Sequence, residues 1–83
     1  MRVVFTASAR KSLRRLPADR RSQIVSRIEA VAASGDRADV RRLAGSDLLR
    51  LRVGDYRVLF AIDTAEQMLR VELIRTHGDV YKR

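Results

Sequence analysis

The chain contains no cysteine, one histidine, one proline and four glycines in 83 residues. Without thiols it has neither disulfides nor thiolate metal ligands, and a reducing cytoplasm is the expected compartment. A lone histidine leaves zinc chemistry almost no raw material. Gly35, Gly45, Gly54 and Gly78 are too scattered for a glycine-rich phosphate loop. Glu29, Glu66 and Glu72, the only glutamates, fall in a predicted helix, a loop and an exposed strand face, which argues against a paired-carboxylate mechanism. No stretch approaches the roughly twenty apolar residues of a membrane span. Met1 to Thr6 runs straight into an arginine-rich segment, without the apolar run of a secretory signal. Acidic charge is also scarce, with 10 carboxylate residues against 18 basic ones and a net charge of +8. These features predict a soluble single domain over residues 1–83 that needs no cofactor.

What is abundant is arginine; Lys11 and Lys82 are the only lysines. Lysine would confer solubility equally well, whereas arginine adds planar, bidentate contacts to phosphate and stacking on bases. The bias points to a polyanionic partner, or to an acidic protein chain that neutralises the same surface.

Val3-Val4-Phe5-Thr6 is β-branched and aromatic and suits a first strand, with Thr6 or Ser8 as cap of the helix that follows. Ala9, Leu13 and Leu16 make one apolar stripe on that helix, among Arg10, Lys11, Arg14 and Arg15. Pro17 breaks it. Ile24, Ile28 and Val31 form the face of a second helix running to about Ser34, where Gly35 is the expected C-terminal cap. Asp36 to Gly45 reads as a connector, a turn of helix and a loop. Leu49, Leu51 and Val53 alternate with Arg50 and Arg52, the period-two signature of a strand. Gly54-Asp55 supplies a turn, and Tyr56 to Ile62 is a nearly continuous apolar run suited to a strand buried on both faces. Met68 to Arg75 is the last strand. The order predicts an α+β fold: a small antiparallel sheet of one strand and a three-strand meander, with a helical hairpin on one face and a basic, partly open second face.

Cleavage of RNA by its own 2′-hydroxyl needs a base, cations for the pentacoordinate phosphorane and an acid for the departing 5′-oxygen; no metal is obligatory. Arg57 and Arg75 are candidate cations, and His77 and Tyr81 the proton-transfer candidates near them in sequence. Arg50 and Arg52 project from the neighbouring strand. Each residue also has a plain structural reading: Arg57 pairing with Asp55 or Asp79, Arg50 and Arg52 protecting a solvated edge, His77 in a turn, Tyr81 packed on the sheet edge.

The Leu49-Arg50-Leu51-Arg52-Val53-Gly54-Asp55-Tyr56-Arg57-Val58 block, with Leu16-Pro17, Leu43-Ala44-Gly45 and the terminal Asp79-Val80-Tyr81, resembles the RelE/ParE superfamily of bacterial toxin–antitoxin systems over nearly the whole length. The resemblance implies a small antiparallel sheet flanked by a helical hairpin. It also implies a ribosome-dependent mRNA endonuclease silenced by a cognate antitoxin, or, on the ParE branch, an inhibitor of DNA gyrase. A third possibility is RNA binding without cleavage. By the same resemblance Arg57 stabilises the scissile phosphate, Arg75 is a second catalytic arginine, Tyr81 stacks on or orients the nucleotide, and His77 is the general acid. Arg50 and Arg52, with Lys82 and Arg83, would bind the RNA. Some members carry lysine at the Arg50 and Arg52 positions, one of them assigned as the base; arginine is a far poorer base, so the general base stays unassigned.

Overall fold

The computed structural model describes residues 1–76. The elements run β1 (Arg2–Phe5), α1 (Ala7–Arg14), α2 (Ala18–Ser34), β2 (Val40–Arg42), β3 (Leu49–Val53), β4 (Tyr56–Asp63) and β5 (Met68–Thr76). The strands form one five-stranded sheet in the order β1-β5-β4-β3-β2.

Thr6 caps α1, its Oγ1 accepting a hydrogen bond from the Ala9 amide at 3.1 Å. The same hydroxyl donates to the Glu72 carbonyl at 2.9 Å, tying the start of the helix to β5. Lys11 and Arg14 in the last turn suit the negative end of the helix dipole. Pro17 is the N-cap of α2, and the helix ends at Gly35, whose φ of 71° is the left-handed conformation that favours glycine. Ile24, Ile28, Val31 and Ala32, spaced for one helical face, are all buried.

Register shows why the helices lie on one side only. Leu51, Val58 and Ile74 are mutually opposite across β3, β4 and β5, as are Leu49, Phe60 and Val71, and Phe5 continues the second row on β1. These side chains pack with Ala9, Ile24, Ile28 and Val31 in a single core. Phe60, Ile24, Ile28, Leu51 and Leu69 are fully buried, each favouring the fold by about 1.5–3 kcal/mol in transfer terms. No described helix covers the opposite face.

The predicted α+β class stands, with both helices on one face of the sheet. Three details differ. The connector contains a strand, β2, which exists because Val40, Arg41 and Arg42 pair with Leu51, Arg50 and Leu49. The sheet is mixed, because β1 pairs parallel to β5 rather than antiparallel. And β4 is not buried on both faces: Leu59 and Ala61 stay half-exposed, since nothing among the described residues packs over that side. A bulge between Leu59 and Phe60 leaves Glu72 of β5 without a partner in the ladder. No described helix is long and apolar enough to cross a membrane.

Candidate phosphate-binding face

Side chains alternate across a strand, so the residues between the core positions emerge together on the uncovered face. Arg52 of β3 lies opposite Arg57 of β4, and Arg57 lies opposite Arg75 of β5. The three arginines form one row across three adjacent strands. One step further from the β3–β4 turn, Arg41 faces Arg50, Arg50 faces Leu59, and Leu59 faces Leu73. The turn that aligns the first row is Gly54-Asp55, with Gly54 at φ 58° in its first position, where a type II′ turn calls for glycine.

Directly opposite residues have Cβ atoms about 4.5–5.5 Å apart, and like charges so placed are destabilising. The described carboxylates do not offset the row. Arg27 holds Asp36 and Asp39, each at 3.3 Å, and Glu72 is engaged by Arg70 at 2.6 Å. Among the described residues, none of Arg41, Arg50, Arg52, Arg57 and Arg75 is in an ion pair. Arg41 donates only to its own strand's Val40 carbonyl, at 3.0 Å. Arg41, Arg52 and Arg75 are exposed, and Arg50 and Arg57 half-buried. Guanidinium is cationic at every physiological pH, so this patch carries standing positive charge with open hydrogen-bonding directions. Such an arrangement can take an anion with several oxygens.

Two hollows flank the row. An open cleft of about 610 Å³ between α2 and the turn end of β3 is lined by Arg20, Gln23, Arg27, Asp39, Arg52 and Gly54, among others. A smaller one of about 140 Å³ brings Ser12, Arg15 and Leu16 of the α1–α2 corner against Tyr56, Ile74, Arg75 and Thr76. At the far end of the open face, Arg70 and Glu72 form their ion pair. The Arg70 guanidinium is held above the usual arginine value, first by its hydrogen bond to Glu72 and then by the charge of that carboxylate.

Four of the sequence-predicted site residues, Arg50, Arg52, Arg57 and Arg75, therefore share one face. The plain reading in which Arg57 pairs with Asp55 does not hold. His77, Tyr81, Lys82 and Arg83, and Asp79 as an ion-pair partner, lie outside the described residues. Sequence reasoning overlooked Arg41, whose place depends on the unforeseen β2, and Arg15, which reads as a solvated helix position until the fold sets it beside Arg75.

The family model described as the ParE toxin of type II toxin-antitoxin system, parDE, matches residues 3–81. The chain belongs to the ParE toxin family. Solved structures share its fold. The archaeal RelE-RelB complex from Pyrococcus horikoshii OT3 is similar at 25% identity and a TM-score of 0.80, over 93% of this chain and 94% of that one. The intact E. coli RelBE toxin-antitoxin complex gives 20% identity and a TM-score of 0.77, over 90% of this chain and 94% of that one. The YoeB/ParE toxin from Agrobacterium tumefaciens gives 20% identity and a TM-score of 0.78, over 93% of this chain and 99% of that one. No curated protein matches the chain. This ParE-family toxin thus carries a RelE-like fold, and the arginines that are unpaired among the described residues lie on the sheet face that the described helices leave free.

Proposed function

We propose that this toxin is an endoribonuclease that cuts messenger RNA in the ribosome, holding the scissile phosphodiester across Arg52, Arg57 and Arg75. The observation that carries this reading is the in-register arginine row, unpaired among the described residues, on the uncovered face. A surface that only needed solubility would not align like charges where they repel one another most.

The reaction is an internal displacement. The 2′-oxygen forms a bond to phosphorus and gives up its proton to a base. The charge that develops on the non-bridging oxygens is met by guanidinium groups already in place, Arg57 from the central strand and Arg75 beside it. The bond from phosphorus to the 5′-oxygen then breaks, and that oxygen takes a proton from an acid. The products are a 2′,3′-cyclic phosphate and a 5′-hydroxyl. By family resemblance His77 is the acid and Tyr81 orients the nucleotide; His77 is joined directly to Thr76, the last residue of β5. Arg50, Arg52, Lys82 and Arg83 would hold the flanking backbone. The partner is a cognate antitoxin, as in the RelE-RelB and RelBE complexes of the related proteins. An acidic and apolar segment suits a surface of this charge.

The match to a ParE family model favours a second reading, inhibition of DNA gyrase through a protein interface. One experiment separates the two. Purified toxin is added to a translating extract and 5′ ends are mapped on a reporter message by primer extension, with Arg57→Ala and Tyr81→Phe in parallel. New ends at codon-phased positions that weaken in both variants support the nuclease. An intact message together with inhibited supercoiling by purified gyrase supports the alternative.

A further inference from the structure

The open face is graded from end to end. The row Arg52, Arg57 and Arg75 stands beside the β3–β4 turn. Two residues along, roughly 7 Å at a strand's rise, Leu59 and Leu73 sit opposite one another, both half-exposed. After another such step comes the Arg70–Glu72 pair, with Arg70 opposite Ala61. A half-open leucine pair thus separates the arginine row from the Arg70–Glu72 pair on one face. Beside a phosphate site it has the dimensions of a nucleoside, because a base lies about one strand step from its own phosphate and presents its hydrogen-bonding edge further along the same direction.

We propose that Leu59 and Leu73 form a platform for the base of the nucleotide whose phosphate occupies the arginine row, and that Arg70 and Glu72 read the edge of that base, favouring guanine. This inference rests on the nuclease reading above. The bulge at Glu72 supplies the geometry. It adds one residue to β5 without a ladder partner, and the carboxylate turns to Arg70. Only Arg70 Nε and Glu72 Oε2 are used in that bond, at 2.6 Å. Among the described residues, the two terminal nitrogens of Arg70 and Oε1 of Glu72 have no further hydrogen bond, and the side chains keep 41% and 30% of their exposure. The pair therefore offers donors next to an acceptor. Guanine presents the complement, its O6 accepting beside N1–H and N2–H donors. Uracil matches with one donor fewer, while cytosine and adenine present the amino group where O6 would be.

The test uses binding, so that it does not depend on cleavage. Four short RNA analogues, 2′-O-methylated throughout and differing only in one central base, are titrated against the full chain by fluorescence anisotropy. A fifth carries an abasic central position. The expected result is a guanine preference of roughly five- to tenfold over adenine and cytosine, within the range of a single base-edge contact. Glu72→Gln should erase that preference and leave the other affinities within about twofold. Leu73→Ala should weaken every base-bearing analogue and leave the abasic one unchanged. Equal affinity for all five in the wild type, with Arg57→Ala weakening all of them, overturns the platform and keeps the phosphate row. Absence of binding by any analogue overturns the phosphate reading itself, and the platform with it.

Discussion

Arg57 lies directly opposite Arg75 on the face of the sheet that no described helix covers, and Arg52 flanks Arg57 on its other side. Three cations in register on adjacent strands weaken the free protein, and on the proposed nuclease reading a bound phosphate between them would offset that repulsion. Stability and function should therefore separate at these positions.

Replacing Arg57 by Gln removes the middle charge. Thermal unfolding should show the variant as stable as the parent, or more stable by about 0.2–1 kcal/mol, while RNA binding falls. A clear loss of stability would show that Arg57 has a structural partner after all.

Salt dependence reports the number of phosphates engaged. With three contacts to a single strand, the logarithm of the binding constant should fall with the logarithm of salt concentration with a slope of about −2. Arg75→Ala should make the slope shallower by about 0.7. A slope near zero would mean that the row does not bind phosphate.

Gly54 and Gly45 both have positive φ, at 58° and 71°, and a Cβ on either would meet nothing within 4 Å. Alanine at either position should cost on the order of 1 kcal/mol in urea denaturation, through backbone strain alone. Only Gly54→Ala should also weaken RNA binding, because that turn sets the register of Arg52 against Arg57.

Thr6 joins α1 to β5 through one hydroxyl, which accepts from the Ala9 amide and donates to the Glu72 carbonyl. Thr6→Ala should lower stability by about 1–2 kcal/mol, and Thr6→Ser should restore most of it. Equal melting of all three proteins would contradict the role of this hydroxyl.

Much of this was legible in the residues. Leu49 to Val53 alternates cleanly and is strand β3 as expected; Pro17 and Gly35 bound α2 where their backbone preferences predict. What escaped depends on long-range pairing. Val40–Arg42 is three residues with two arginines and carries no local strand pattern, so β2 arises from its bonding to β3. The parallel match of β1 to β5 joins chain segments 66 residues apart, which no local periodicity encodes. The apolar run of β4 signals burial without saying that a second layer is missing, so it points Leu59 to a core that the residue only borders. Arginines at Arg50, Arg52, Arg57 and Arg75 could be picked out singly, but their alignment in rows required the register, and the bulge at Glu72 gave no signal at all.

The most direct test is the single-turnover rate at which ribosome-bound messenger is cut by the wild type, Arg57→Ala and Arg75→Ala, all three checked for a folded state by thermal melting. The arginine row predicts a rate lower by about 10²-fold or more in each folded variant, the usual effect of removing one group that stabilises transition-state charge. Rates equal to that of the wild type in both variants would contradict it.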